Sequence, residues 1–392
     1  MEKTPRLKDS FDVAIVGAGP AGSATAIRLA KAGLSVLLVE QKKFPRQKLC
    51  GEFISPECLG HFGDLGVIEG IKLAGGVDIQ ETVFFASNGK GISVKSEWFG
   101  QADSCALGLS RSEMDELLLR RARELGVDVR EETAAAGLVF DDAKVTGIRL
   151  KEKAGLDTTV TAGITIDATG RTQALARRVE KPTAQRKRAV HVAFKAHVKG
   201  ASISPSTCEI YAYRGGYGGC NSIENGLFNL CFIASAKDTR IFESDAERVM
   251  REVVFTNKRA GETLKHASIA SEWLAVPIER FGRGRLVPAP GLLTVGDAAA
   301  FIDPFTGSGI LLALESAKIA AGAITNCFKR QSDFETLASD YRRNYAAVFD
   351  SRLRVCSMLR HAAFIPLLAD ATISILNLSG GLRRRVAKAT RL

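Results

Sequence analysis

The clearest chemistry near the start of the chain belongs to three glycines and an acid: Gly17, Gly19 and Gly22, then Glu40. In the run Gly17-Ala18-Gly19-Pro20-Ala21-Gly22, the first glycine permits a tight turn and the second lets the backbone approach a pyrophosphate. The third lets a helix pack closely on a strand, while the helix N-terminus offers unpaired N–H groups to the phosphates. Glu40 can accept hydrogen bonds from ribose hydroxyls, which disfavours a 2′-phosphate and leaves FAD and NAD as candidates. A second constellation comprises Gly296 and Asp297, then Pro304, Gly307, Ser308, Gly309 and Ile310. An acid after a strand can bind ribose or ribitol hydroxyls, and a helix starting near Ser308 can stabilise negative charge on a bound ligand.

Periodicity indicates the elements that must position these residues. Residues 13–16 read as a buried strand, 20–32 as a helix and 34–39 as a second buried strand, completing a βαβ unit. Residues 109–127 carry an apolar stripe at helical spacing, with Ser110 as N-cap and Glu113 three positions on. Residues 127–130, 134–140, 144–150 and 158–166 alternate as the short strands of a meander. They lead into Asp167-Ala168-Thr169-Gly170-Arg171, where a packed strand end and a direct phosphate contact are both open. Residues 183–283 alternate as strands, with 81–104 expected to join them, and 331–392 read as helices ending in a basic tail.

Composition narrows the classes. At 392 residues, 46% hydrophobic and 25% charged, the chain has the character of an ordinary globular protein with a large core. The net charge of +11 concentrates in residues 177–188 and 383–391. These basic clusters can be solvated surfaces, contacts to an anionic membrane, or a site for an acidic partner. They lack interleaved aromatics, so no nucleic-acid partner is expected. Eight cysteines without a CxxC pair give neither a zinc site nor a disulfide framework, and His191 and His197 share a strand face without a third ligand, so no metal is expected. Cysteine usage and a polar N-terminus without a signal-peptide core fit the cytoplasm. Membrane association through the C-terminal segment is a further expectation.

After Glu40 comes a breaker-rich loop, Gln41-Lys42-Lys43-Phe44-Pro45-Arg46, continuing to Cys50-Gly51-Glu52. Phe-Pro-Arg followed by a Gly-Glu loop, with the two glycine motifs, resembles the flavoproteins of the para-hydroxybenzoate hydroxylase type. That superfamily includes geranylgeranyl reductases, aromatic monooxygenases and flavin-dependent halogenases, and the resemblance spans roughly residues 11–325. It implies that the dinucleotide is FAD. It also implies that Arg111 lies against FAD, that Asp297 holds the ribitol and pyrophosphate region, and that Gly307 and Gly309 sit beside the isoalloxazine. Gln41, Arg46, Cys50, Gly51 and Gly170 join the cofactor site, with Cys50, Gly307 and Gly309 as the catalytic flavin environment. Asp-Ala-Thr-Gly departs from the Asp-Gly pair of the aromatic hydroxylases, so docking of the electron donor, NADH or NADPH, need not follow theirs.

The implied fold is α/β: an FAD-binding Rossmann-like domain of the glutathione-reductase type from residues 1–80, 105–182 and 284–330. A mixed β-sheet substrate domain, 81–104 and 183–283, is inserted into it, and a C-terminal helical segment, 331–392, follows. Tyr211, Tyr217 and Cys220 are expected to line the substrate pocket. The reaction expected is hydroxylation of a small lipophilic aromatic, a phenol or quinol, through a flavin C4a-hydroperoxide. The alternative is reduction of prenyl or other alkene double bonds. Halogenation is disfavoured because Trp98 and Trp273 stand apart, outside any Trp-x-Trp signature.

Overall fold

The computed structural model describes the chain apart from residues 1–8, 101–103, 153, 154, 156, 180–188, 280, 302–306, 364, 365 and 390–392. Its architecture is mixed α/β, built on two large sheets. Strand Ser10–Val16 lies at the centre of the first, parallel to Val36–Val39 on one side and to Asp157–Asp167 on the other. The long strand Asp157–Asp167 serves two neighbours in succession. Its first half pairs antiparallel with Lys144–Glu152, and its last residues pair parallel with Leu292–Thr294. The chain thereby returns its second glycine motif beside its first. The meander closes with Thr133–Asp141 on Lys144–Glu152.

Helix Pro20–Lys31 follows the first strand directly, with Pro20 opening its first turn. Gly17 sits at φ +103°, which side-chain-bearing residues rarely adopt, and a Cβ there would overlap the Ala168 carbonyl. A Cβ at Gly22 would overlap the Gly17 carbonyl oxygen, so these two glycines are demanded by packing alone. The buried face of the helix is mostly small, Ala21, Ala24 and Ala26 with Ile27 and Leu29, and it joins one core with the alanine-rich helix Gly309–Arg330. Burying Ile27 and Leu29 stabilises the layer by roughly 1.5–3 kcal/mol each. The latter helix is long and apolar enough to cross a membrane, yet 61% of its apolar window is buried inside the protein. It is placed as a core helix. Helix Arg111–Glu124 is capped by Ser110, whose Oγ accepts from the Glu113 N–H at 3.3 Å, a cap worth about 1 kcal/mol.

In the second sheet His191–Lys199 runs antiparallel to Phe228–Ser235, followed by Gly216–Ser222, Thr207–Tyr213, Glu81–Phe85 and Gly91–Lys95. Glu81–Phe85 lies parallel to Thr207–Tyr213 and antiparallel to Gly91–Lys95 at this end of the sheet. Period-two alternation gives this sheet two unlike faces. Phe194, Tyr211, Tyr213, Cys220, Leu230 and Phe232 pack beneath helices Ala246–Glu252 and Lys258–Leu264, while Ala193, Tyr217 and Ile233 form a separate apolar cluster on the other face.

The C-terminal helix Phe334–Ala363 fastens to the first sheet through Tyr341, whose hydroxyl donates to the Thr294 carbonyl at 2.6 Å. Helix Pro366–Leu378 seats Ile373 against Ala86 and Ile92 of the second sheet's edge. Helix Gly380–Ala389 buries none of its described residues.

Candidate functional site

A cavity of about 490 Å³ opens where the C-terminal ends of the parallel strands meet the face of the second sheet that carries Ala193, Tyr217 and Ile233. Gly17, Gly19, Pro20, Ala21, Glu40, Gln41 and Arg46 line it from the first motif and the loop after it. Cys50, Gly51, Arg111 and Gly170 line it further along, and Gly296, Asp297, Gly307, Gly309 and Ile310 close it from the second motif. Motifs separated by most of the chain therefore meet in one space. Gly22 lies behind the loop in its packing role. Ser308 was expected at the cavity, but its side chain is fully buried where it precedes helix Gly309–Arg330. Pro304 lies outside the described residues.

The residues present fit a dinucleotide on two independent observations. A Cβ at Gly51 or Gly309 would meet nothing within 4 Å, and at Gly19 only guanidinium nitrogens, the nearest at 3.7 Å. Protein packing does not explain these three glycines; close approach of a ligand does. Second, cations crowd one wall. Burial together with the charges of Arg46, Arg111 and Arg171 pulls the Lys48 ammonium below its usual range, a repulsion that a diphosphate would relieve. Asp297 faces Arg171, Arg111 and Lys48, yet burial outweighs them and raises its carboxyl above the ordinary range.

Glu40 and Arg111 are braced within the site. The Glu40 carboxylate accepts from the Ala18 N–H at 3.1 Å, from the Lys42 N–H at 3.0 Å and from Arg46 at 3.4 Å, so it holds the glycine loop while lining the cavity. Asp115 grips Arg111 through two bonds of 2.8 and 2.6 Å and also receives Arg46 at 3.1 Å. Asp167, buried at its strand end, accepts from the N–H groups of Thr169 at 3.0 Å and of Leu175 and Ala176 at 2.9 Å each. The acid is consumed in fastening the turn, while Gly170 and Arg171 face the cavity.

Of the three residues expected to line the substrate pocket, only Tyr217 does so. The two-residue turn after Tyr213 sets Ala212 opposite Tyr217, so Tyr211 falls on the other face. There Tyr211 is fully buried and its hydroxyl donates to Glu209 at 2.7 Å. Cys220 is likewise fully buried on that face, where burial pushes its thiol well above the ordinary range. The cavity instead meets Leu49, Ala193, Ile233, Ile278 and Phe301, an apolar wall that includes Tyr217. Cys231 also lines it, and burial pushes its thiol up to about 12, so it stays protonated and unreactive at neutral pH.

Sequence reasoning missed a buried polar cluster behind this wall. Glu52 lines the cavity loop; its carboxylate meets Lys195 Nζ at 2.5 Å and His197 Nε2 at 2.7 Å. Lys195 and His197 alternate with Phe194 and Ala196 along a strand otherwise buried in apolar surroundings. A lysine on a buried strand was the available signal, because a buried ammonium requires an acid partner.

A family model described as an FAD binding domain matches residues 10–348, and the chain belongs to this family. Digeranylgeranylglycerophospholipid reductase of Methanosarcina mazei is 30% identical over 323 residues, which cover 81% of this chain and 75% of that protein. Tryptophan 2-halogenase of Chondromyces crocatus is 27% identical over 363 residues, covering 88% of this chain and 66% of that protein. The crystal structure of a geranylgeranyl bacteriochlorophyll reductase-like protein from Thermoplasma acidophilum superposes with a TM-score of 0.76 at 21% identity. That superposition covers 98% of this chain and 93% of the other. The protein is an FAD-dependent oxidoreductase.

Proposed function

Starting from an FAD-dependent oxidoreductase of this family, we propose that the protein reduces a carbon–carbon double bond in a small lipophilic substrate, with NADH or NADPH as electron donor. The observation that carries this reading is the apolar wall of Leu49, Ala193, Tyr217, Ile233, Ile278 and Phe301, continuous with the cofactor cavity. FAD held by this cavity would supply the two-electron hydride chemistry that reduction of a double bond requires. The chain's own part is to orient and to exclude water. Tyr217, Ile233 and Ile278 offer shape and apolar surface without charge, which suits an isoprenoid chain. Cys231 remains a neutral thiol in that lining.

The relative acting on a geranylgeranyl lipid supports reduction, which moves it ahead of aromatic hydroxylation. The halogenase relative keeps oxygen-dependent chemistry as the second reading. Substrate entry is proposed from a membrane surface. Ile375, Leu378 and Leu382 are exposed, and Arg384, Arg385 and Lys388 follow closely in the chain, a combination of apolar and basic side chains suited to anionic lipid.

The deciding experiment mixes reduced holoprotein, without air, with a geranylgeranyl-bearing lipid. Under this reading oxidised flavin returns without oxygen and the product gains two hydrogens per double bond. Flavin that stays reduced until oxygen is admitted, with a product carrying an added oxygen atom, would overturn it in favour of hydroxylation.

A further inference from the structure

Glu52 is fully buried and sits at φ 49°, in the left-handed region that a non-glycine residue seldom occupies. Such a conformation persists where its surroundings over-determine it. Here they do. Its Oε1 accepts from the Arg111 N–H at 2.8 Å as well as from Lys195, and its carbonyl accepts from the Leu109 N–H at 3.3 Å and Asn221 Nδ2 at 3.4 Å. Lys195 continues to Gln47 Oε1 at 3.1 Å and to the Lys48 carbonyl at 3.3 Å, and Asn229 Nδ2 reaches the Cys50 carbonyl at 3.2 Å.

Residues 47–52 are therefore clasped by polar side chains from three strands of the second sheet and by the first N–H of helix Arg111–Glu124. This is the segment that presents Cys50 and Gly51 to the cavity. Lys195 is 1% exposed, so its charge is carried in a poorly screened interior, where an unpaired ammonium acts strongly on its neighbours.

We propose that Glu52 is a positioning residue: it fixes the Cys50–Gly51 wall of the cavity and neutralises Lys195 behind it, so that the bound FAD does not meet Lys195 as an uncompensated buried charge. The inference rests on FAD binding and holds for reduction and oxygenation alike. Arg111 and Asp115 complete the charge pattern on the adjoining helix, as a paired unit of their own.

The test is the midpoint potential of FAD in the holoprotein, measured spectroelectrochemically for wild type, Glu52→Gln and the double variant Glu52→Gln/Lys195→Met. Removing the anion alone leaves Lys195 uncompensated and favours the form carrying more electrons, so Glu52→Gln raises the potential. Removing both charges returns it to the wild-type value. An unchanged potential in Glu52→Gln, or the same displacement in both variants, overturns the proposal, since a purely structural bridge would not distinguish them. If Glu52→Gln fails to retain FAD, the double variant decides. Retention with the wild-type potential supports the proposal; retention with a displaced potential, or loss of FAD as complete as in Glu52→Gln, overturns the charge-balancing role, since removing Lys195 then restores nothing.

Discussion

Replacing Gly19 with alanine separates what the ligand demands from what the fold demands. Gly19 lies at φ −70° and ψ −176°, a conformation open to any residue, at the N-cap of helix Pro20–Lys31. An added Cβ would meet Arg111 Nη2 at 3.7 Å and Arg46 Nη2 at 4.0 Å, ordinary contact distances. The apoprotein therefore loses nothing in packing. The entropy gained by restricting the unfolded chain, about 0.4–1 kcal/mol, is offset by a few tenths for the poorer N-cap. Its Tm should move by at most about 3 °C. FAD binding should suffer, because the methyl occupies the space through which a pyrophosphate approaches the backbone; we expect at least a tenfold rise in Kd, about 1.4 kcal/mol. Gly22→Ala is the counterpart. Its Cβ would overlap the Gly17 carbonyl, so the apoprotein itself should lose about 1–3 kcal/mol or more. Flavin fluorescence titration and thermal melts of both apoproteins read the two effects. Wild-type affinity in Gly19→Ala, or a stability loss matching that of Gly22→Ala, would refute the reasoning.

Glu52 makes acid stability diagnostic. Burial tends to raise its carboxyl, but the hydrogen bond with His197 and the charge of Lys195 outweigh burial and hold it below the usual range. Its contribution is therefore complete above the unfolded carboxylate value of about 4.3 and is lost as pH falls through the lower folded value. The Tm difference between wild type and Glu52→Gln should accordingly be full at neutral pH and shrink on acidification; a constant gap would contradict this. Arg259→Ala removes the guanidinium that donates to buried Glu209 at 2.8 and 2.6 Å, and urea melts should report a loss of about 2 kcal/mol, moderated by the remaining donors Tyr211 and Thr263. Vesicle co-sedimentation should show binding to anionic but not zwitterionic lipid, weakened by Leu378→Ser and by Arg384→Glu/Arg385→Glu; indifference to lipid charge would exclude the proposed membrane surface.

The local parts of the cofactor site were legible because local rules produce them. Glycine spacing dictates the turn after Ser10–Val16, Ser110 caps its helix, and alternation marks the meander, each within a few residues. The joining of Gly17 and Gly19 with Gly296 and Asp297 in one cavity was reached only through resemblance; in the structure it follows from the long strand Asp157–Asp167 pairing with both neighbours. The substrate wall was less legible. Tyr211 and Tyr217 are alike in residue type and local composition, and only the hairpin register, Ala212 opposite Tyr217, sends one into the core and the other to the cavity. Glu52 and Lys195 stand 143 positions apart and meet because the second sheet lays its polar residues across the cavity loop. Chain-local sterics and capping act over a few residues and leave their mark in the sequence. Compensation of a buried charge depends on which distant strand arrives beside it, and tertiary packing alone decides that.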